Sequence, residues 1–184
     1  MRPEPPIHQA PTALLIFLWG VGGVLGVLVN AIARILPMAL EPLRSGAMTP
    51  ALWAAAALWI AWMAYTEGYR GFHRAFAPRV IVRALHLARA PRPALVVLAP
   101  LVAMGLIHAT RKRKIVSWAI VLGVTAIVLV VRGVAQPWRG IIDGGVIIGL
   151  AIGTLSIGGY MIAALLGRPP AIAHDMPEPA PERP

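Results

Sequence analysis

The side chains best able to do chemistry are two acids and two histidines set among apolar residues. Glu67 stands in WMAYTEGYRGFHRAF, near the end of an apolar run, with Arg70 one turn on and Arg74 two turns on; Asp143 stands in PWRGIIDGG, just ahead of another such run. An acid inside a membrane span is expensive unless paired, so each residue invites a role in proton or cation handling. The plainer roles are structural. Glu67 has arginine partners in reach for an ion pair at the membrane interface, and Asp143 is a preferred N-cap whose carboxylate accepts helix N–H bonds. The two acids are expected toward opposite faces of the membrane. His73 and His108, from two helices, could ligate a haem or bind a pigment, but no third ligand pattern accompanies them and no metal site is expected.

Catalytic signatures are missing: the chain has no G-x-S-x-G, no Walker loop and no H-E-x-x-H. With no cysteine, thiolate ligands, disulfides and a cysteine nucleophile are excluded as well. The expectation is a protein that is not an enzyme.

Three patterns concern contact rather than catalysis. On a helical wheel Arg79, Arg83, His86 and, less tightly, Arg89 fall on one side, with Val80, Ile81, Leu85, Leu87 and Ala88 on the other. That predicts an amphipathic helix over 79–90 lying in the membrane interface, with its arginines toward anionic headgroups. Just before it, Trp62, Tyr65, Tyr69, Phe72 and Phe76 recur at steps of three and four and predict an aromatic stripe at the headgroup level, or a platform for a quinone, pigment or lipid tail. Gly145, Gly149 and Gly153 line one face of the last apolar segment, and Gly22 and Gly26 offer a similar face near the start. Such faces let helices approach backbone to backbone in lipid, inside the chain or with other membrane subunits.

The elements that position these residues follow from composition. The 184-residue chain is 58% hydrophobic and 13% charged, with a mean hydropathy of +0.74. That is an all-α integral membrane protein, a small helical bundle, with apolar segments near 13–36, 51–66, 94–110, 115–131 and 144–166. One membrane domain is expected over 13–167, between disordered proline-rich tails at 1–12 and 168–184. The run before Ala31-Ile32-Ala33 is too long for a cleaved signal and reads as a retained span.

The net charge of +10 sits in short loops, where it reports topology, and no nucleic-acid partner is expected. If all five segments cross, the basic residues divide almost evenly between the two sides. If 94–110, interrupted by Pro100, enters and leaves by one face, thirteen face inward and only Arg34, Arg44, Arg132 and Arg139 face outward. The expectation is therefore four spans plus one re-entrant or broken segment, both termini cytoplasmic, in a bacterial inner membrane. A fifth span is the alternative.

The leading functional expectation is a non-catalytic accessory, assembly or scaffold subunit of a larger membrane complex. A small ion, proton or lipid transporter using Glu67 and Asp143 comes second, and a haem- or pigment-binding subunit third.

Overall fold

The computed structural model describes residue 7 and residues 10–176. Among these residues the chain is all helical: α1 (Pro11–Arg44), α2 (Pro50–Met63), a π-helical segment (Ala64–Phe76), α3 (Ala77–Arg89), α4 (Pro93–Val97), α5 (Ala99–Ala103), α6 (Arg111–Val131) and α7 (Trp138–Leu165). Three of these, α1, α6 and α7, are individually long and apolar enough to cross a membrane. The 51–66 segment does not stand as a separate helix. It forms α2 and the first residues of the π segment, and the backbone stays in the right-handed helical region through both junctions into α3.

The 94–110 segment is broken twice. At Leu98 the backbone leaves helical geometry (φ −95, ψ 19), and after α5 it turns at Gly105 (φ +75) and His108 (φ +48). Two helices of five residues rise only about 7.5 Å each, far short of a hydrocarbon core. The ring of Pro100 packs against Gly23, where a side chain would collide with it, so the segment tucks in beside α1.

α7 is the axis of the bundle. α1 runs antiparallel to it: Pro42 packs on Gly140, and Gln136 Nε2 donates to Met38 O at 3.1 Å and to Glu41 Oε2 at 2.9 Å. α2 and the π segment run parallel to α7. Trp59 Nε1 donates to Ile142 O at 3.2 Å; Trp59 and Met63 cover Gly145, Glu67 and Gly68 face Gly149, and Phe72 covers Gly153. The missing side chains of the three α7 glycines are the space these residues occupy.

The core joins Phe17, Val21 and Val24 of α1 to Val80, Ile81, Ala84 and Leu87 of α3, Ala99, Val102 and Ala103 of α5, and Ile157 of α7. Ile7 and Met176 belong to the same cluster, so both ends of the described chain reach it. α3 is packed into this core: nine of its thirteen residues, Arg83 among them, are buried. The small side chains of Ala84 and Ala99 let α1 approach at Gly20, and the polar face is covered by acceptors from elsewhere in the chain.

α6 is the exception to this packing. Ser117 is its one buried residue, and residues 122–130 are exposed on every side. Its first turns are tied down by Ser117 Oγ to Met104 O (3.4 Å) and Trp118 Nε1 to Leu106 O (3.1 Å).

Candidate functional site

The densest polar cluster is built around Arg83. Its position on α3 points it at the turn after α5, where Gly105 leaves room: a Cβ there would lie 2.5 Å from Arg83 Nη1. The guanidinium is fully enclosed. Nη1 donates to Ala103 O (3.2 Å), Nε donates to His174 O (3.1 Å), and Nη2 lies 3.5 Å from Asp175 Oδ2. Arg79 Nε shares that carboxylate at 3.4 Å, and Arg113, from the first turn of α6, stands within electrostatic reach of Arg79, Arg83 and Asp175. Burial lowers the pKa of Arg83 to about 10, Arg113 and Arg79 add to the fall, and Asp175 opposes it. Arg83 therefore stays charged at neutral pH.

What closes the cluster is the stretch 174–176, which has neither helix nor strand. The Asp175 carbonyl accepts from Thr110 N (3.0 Å), the Met176 side chain is buried, and Met176 N donates to His174 Nδ1 (3.1 Å). Asp175 takes φ +54, a left-handed conformation that Asp tolerates better than most residues. The His174 ring stacks on His86 with centroids 4.1 Å apart. Burial, then the charges of His174, His108, Arg89 and Arg92, push the pKa of His86 below its ordinary value. His108, in the turn after α5, is shifted the same way by burial, Arg92 and Lys114. Arg83 thus faces protein; Arg79 and His86 are half-buried and Arg89 is exposed.

The π segment carries a second polar region. Tyr65, Tyr69 and His73 stack in a column with centroids 6.2 and 5.6 Å apart, and Tyr160 of α7 covers the other side of His73 at 5.5 Å. Ser156 Oγ donates its one proton to Ile152 O (2.7 Å), so at the 3.1 Å contact His73 Nδ1 is the donor. His108 stands in different surroundings beside Arg92 and Lys114 and forms no evident pair with His73. Among the described residues no three His, Asp or Glu side chains gather closely enough to hold a metal ion.

Glu67 is exposed, and among the described residues neither Arg70 nor Arg74 lies within ion-pair distance of it. The winding explains this. A π-helix turns less per residue, so residues three and seven apart, the spacings from Glu67 to Arg70 and Arg74, no longer share a face. Arg74 instead lies over the Tyr69 ring at 5.9 Å. Asp143 is likewise not an N-cap. α7 begins five residues earlier at Trp138, Asp143 is buried inside it against Arg139 (3.7 Å), and Gln136 Oε1 accepts from Gly140 N (3.0 Å) in the capping role. Because Glu67 faces Gly149, six residues along α7 from Asp143, the two acids stand about 9 Å apart along the axis, not at opposite faces.

The glycines divide. Gly145, Gly149 and Gly153 are covered by the chain itself, whereas Gly22 and Gly26 face open space. Sequence patterns did not single out Asp175, His174, Met176, Gly105 or the pairing of Arg113. The available signal was an acid beside a histidine in an otherwise proline- and alanine-rich stretch, in a chain with a large arginine excess. Comparison with protein-family models, with curated proteins and with solved structures finds no match to this chain.

Proposed function

We propose that the chain is a non-catalytic accessory, assembly or scaffold subunit of a larger complex in a bacterial inner membrane. The observation that carries this reading is α6, an apolar helix of spanning length whose residues 122–130 are all exposed. Open glycines add to it: Gly123 on α6, and Gly22 and Gly26 on α1, have nothing within contact distance. In lipid, such faces are where a neighbouring helix gains close packing. A photo-crosslinker at Ile127 in native membranes is expected to give an adduct with a second membrane protein, and the full chain in mild detergent is expected to co-purify with that protein. Lipid adducts alone, with a stable monomer, would refute the reading.

The topology that goes with it has four spans and both termini in the cytoplasm. The brokenness of 94–110, the parallel course of α2 and α7, and Ile7 and Met176 meeting in one cluster all support it. Its test uses the absence of cysteine: Lys112→Cys is expected to resist a membrane-impermeant thiol reagent in intact cells, and labelling from outside would restore five spans.

A second reading, ion or proton transport, is favoured by Glu67. It lies opposite Gly149, the twelfth of the 28 residues of α7, exposed and without an ion-pair partner among the described residues. A carboxylate at that depth needs a partner or a proton. Glu67→Gln with an unchanged flux would remove this reading.

A further inference from the structure

Among the described residues the Arg83 cluster holds more positive than negative charge. Arg79 and Arg83 pair with Asp175, Arg113 stands within electrostatic reach of all three, and among the described residues that carboxylate is the one acid paired with any of them. Arg83 Nη2 and Arg113 Nε are buried and have no hydrogen-bond partner among the described residues. The 3.5 Å from Nη2 to Asp175 Oδ2 is an ion-pair distance but too long for a good hydrogen bond. Orphaned charged donors inside a protein are costly, and guanidinium forks match oxyanions with several acceptor oxygens. Asp175 fills only part of that demand, and it arrives on a segment held by one backbone bond at Thr110, the bond from Arg83 Nε to His174 O, a stacked histidine and one buried methionine.

We propose that Arg79, Arg83 and Arg113 form a binding site for a phosphate-bearing anion, with Asp175 as an internal plug that the anion displaces, releasing 174–176. A phosphate offers more acceptor oxygens and more negative charge than the Asp175 carboxylate, which suits a cluster with guanidinium donors left unmatched. Release unstacks His174 from His86 and exposes Met176, so the bound anion becomes a change at the surface of the bundle. Free phosphate and the headgroup of an anionic lipid present the same chemistry here. The site stands whether or not the chain is an accessory subunit, because it rests on contacts within the chain.

The test uses the full chain in lipid nanodiscs, with Met176→Cys as reporter in a protein that has no other thiol. Labelling is measured in phosphatidylcholine, in phosphatidylcholine with inorganic phosphate, and in phosphatidylcholine with phosphatidic acid, all at matched ionic strength. Slow labelling in the first is expected to rise about tenfold in at least one of the others, the response to a shift of about 1.4 kcal/mol in the docking equilibrium. A rise with phosphatidic acid alone assigns a lipid headgroup; a rise with inorganic phosphate assigns a free anion.

Arg113→Gln is expected to abolish the response, and Asp175→Asn to label fast throughout. If M176C alone undocks the segment, hydrogen exchange at the Asp175 and Met176 amides of the unsubstituted chain gives the same readout. No response to either phosphate source, or an equal response to sodium chloride, would overturn the site.

Discussion

Gly105→Ala separates the two demands placed on one residue. Gly105 has φ +75, and an L-residue in left-handed geometry costs about 1–2 kcal/mol. Its new Cβ would also lie 2.5 Å from Arg83 Nη1, 3.0 Å from Cζ and 3.2 Å from Ser117 Oγ. The guanidinium has little room to retreat, because Arg83 is fully buried and Nη1 is held by Ala103 O. Losing that charge-assisted bond adds about 1.5–3 kcal/mol, so Gly105→Ala should cost about 3–5 kcal/mol in all. Gly46 supplies the control. It has φ +66 with nothing within contact distance, so Gly46→Ala should cost only the backbone share, about 1–2 kcal/mol. The assay is unfolding of both variants in mixed micelles by titration with a denaturing detergent, followed by tryptophan fluorescence and helical circular dichroism. Equal destabilisation of the two variants would refute the claim that Gly105 exists to seat Arg83.

Gly153→Val should destabilise by about 1–3 kcal/mol, because its Cβ would meet Phe72 Cδ1 at 2.5 Å, whereas Gly22→Val, facing open space, should stay within about 0.5 kcal/mol in the same titration. Acid should loosen the docked segment: the pKa of His86 is lowered in the fold, so its stabilisation is complete above the ordinary value near 6.5 and is lost as pH falls below it toward the folded value. A smaller protection factor at the Met176 amide at pH 5.5 than at pH 7.5, each taken against the intrinsic base-catalysed exchange rate at that pH, is the expected result, and the reverse order would contradict the shift. Gln136→Ala removes the acceptor of Gly140 N and the donor to Met38 O, and should cost about 1–2 kcal/mol of stability, read by the same unfolding titration.

How much of this was legible in the sequence depends on the range of the interaction. The three helices long and apolar enough to cross a membrane, α1, α6 and α7, fall on apolar runs, since run length and composition are what that capacity requires. The break at 94–110 was legible from Pro100. The π winding was not, because apolar and aromatic steps of three and four fit an α-helix equally well; the structure shows the column at steps of four, Tyr65 to Tyr69 to His73. That winding separates Glu67 from the arginines that α-helical spacing assigns to it. Asp143 was misplaced for a different reason. Trp138 and Arg139 lie outside the apolar run but inside the helix, so the cap falls at Gln136 and Pro137, well before the acid.

The wheel for α3 sorted Arg79, Arg83 and His86 onto one side, and the structure keeps them together; only the identity of what faces them differs. Periodicity reports which residues share a face but cannot distinguish headgroup phosphates from a chain segment ninety residues away that offers carbonyls and a carboxylate. Both would satisfy an arginine face, and the physical requirement, acceptor oxygens for guanidinium donors, is the same. The protein answers it with His174 O, Ala103 O and Asp175, leaving Arg83 Nη2 and Arg113 Nε without hydrogen bonds among the described residues. A helix with the sequence features of a headgroup binder, sealed by an incomplete internal substitute, is poised between two states. The donors left over are the reason the substitute can be displaced.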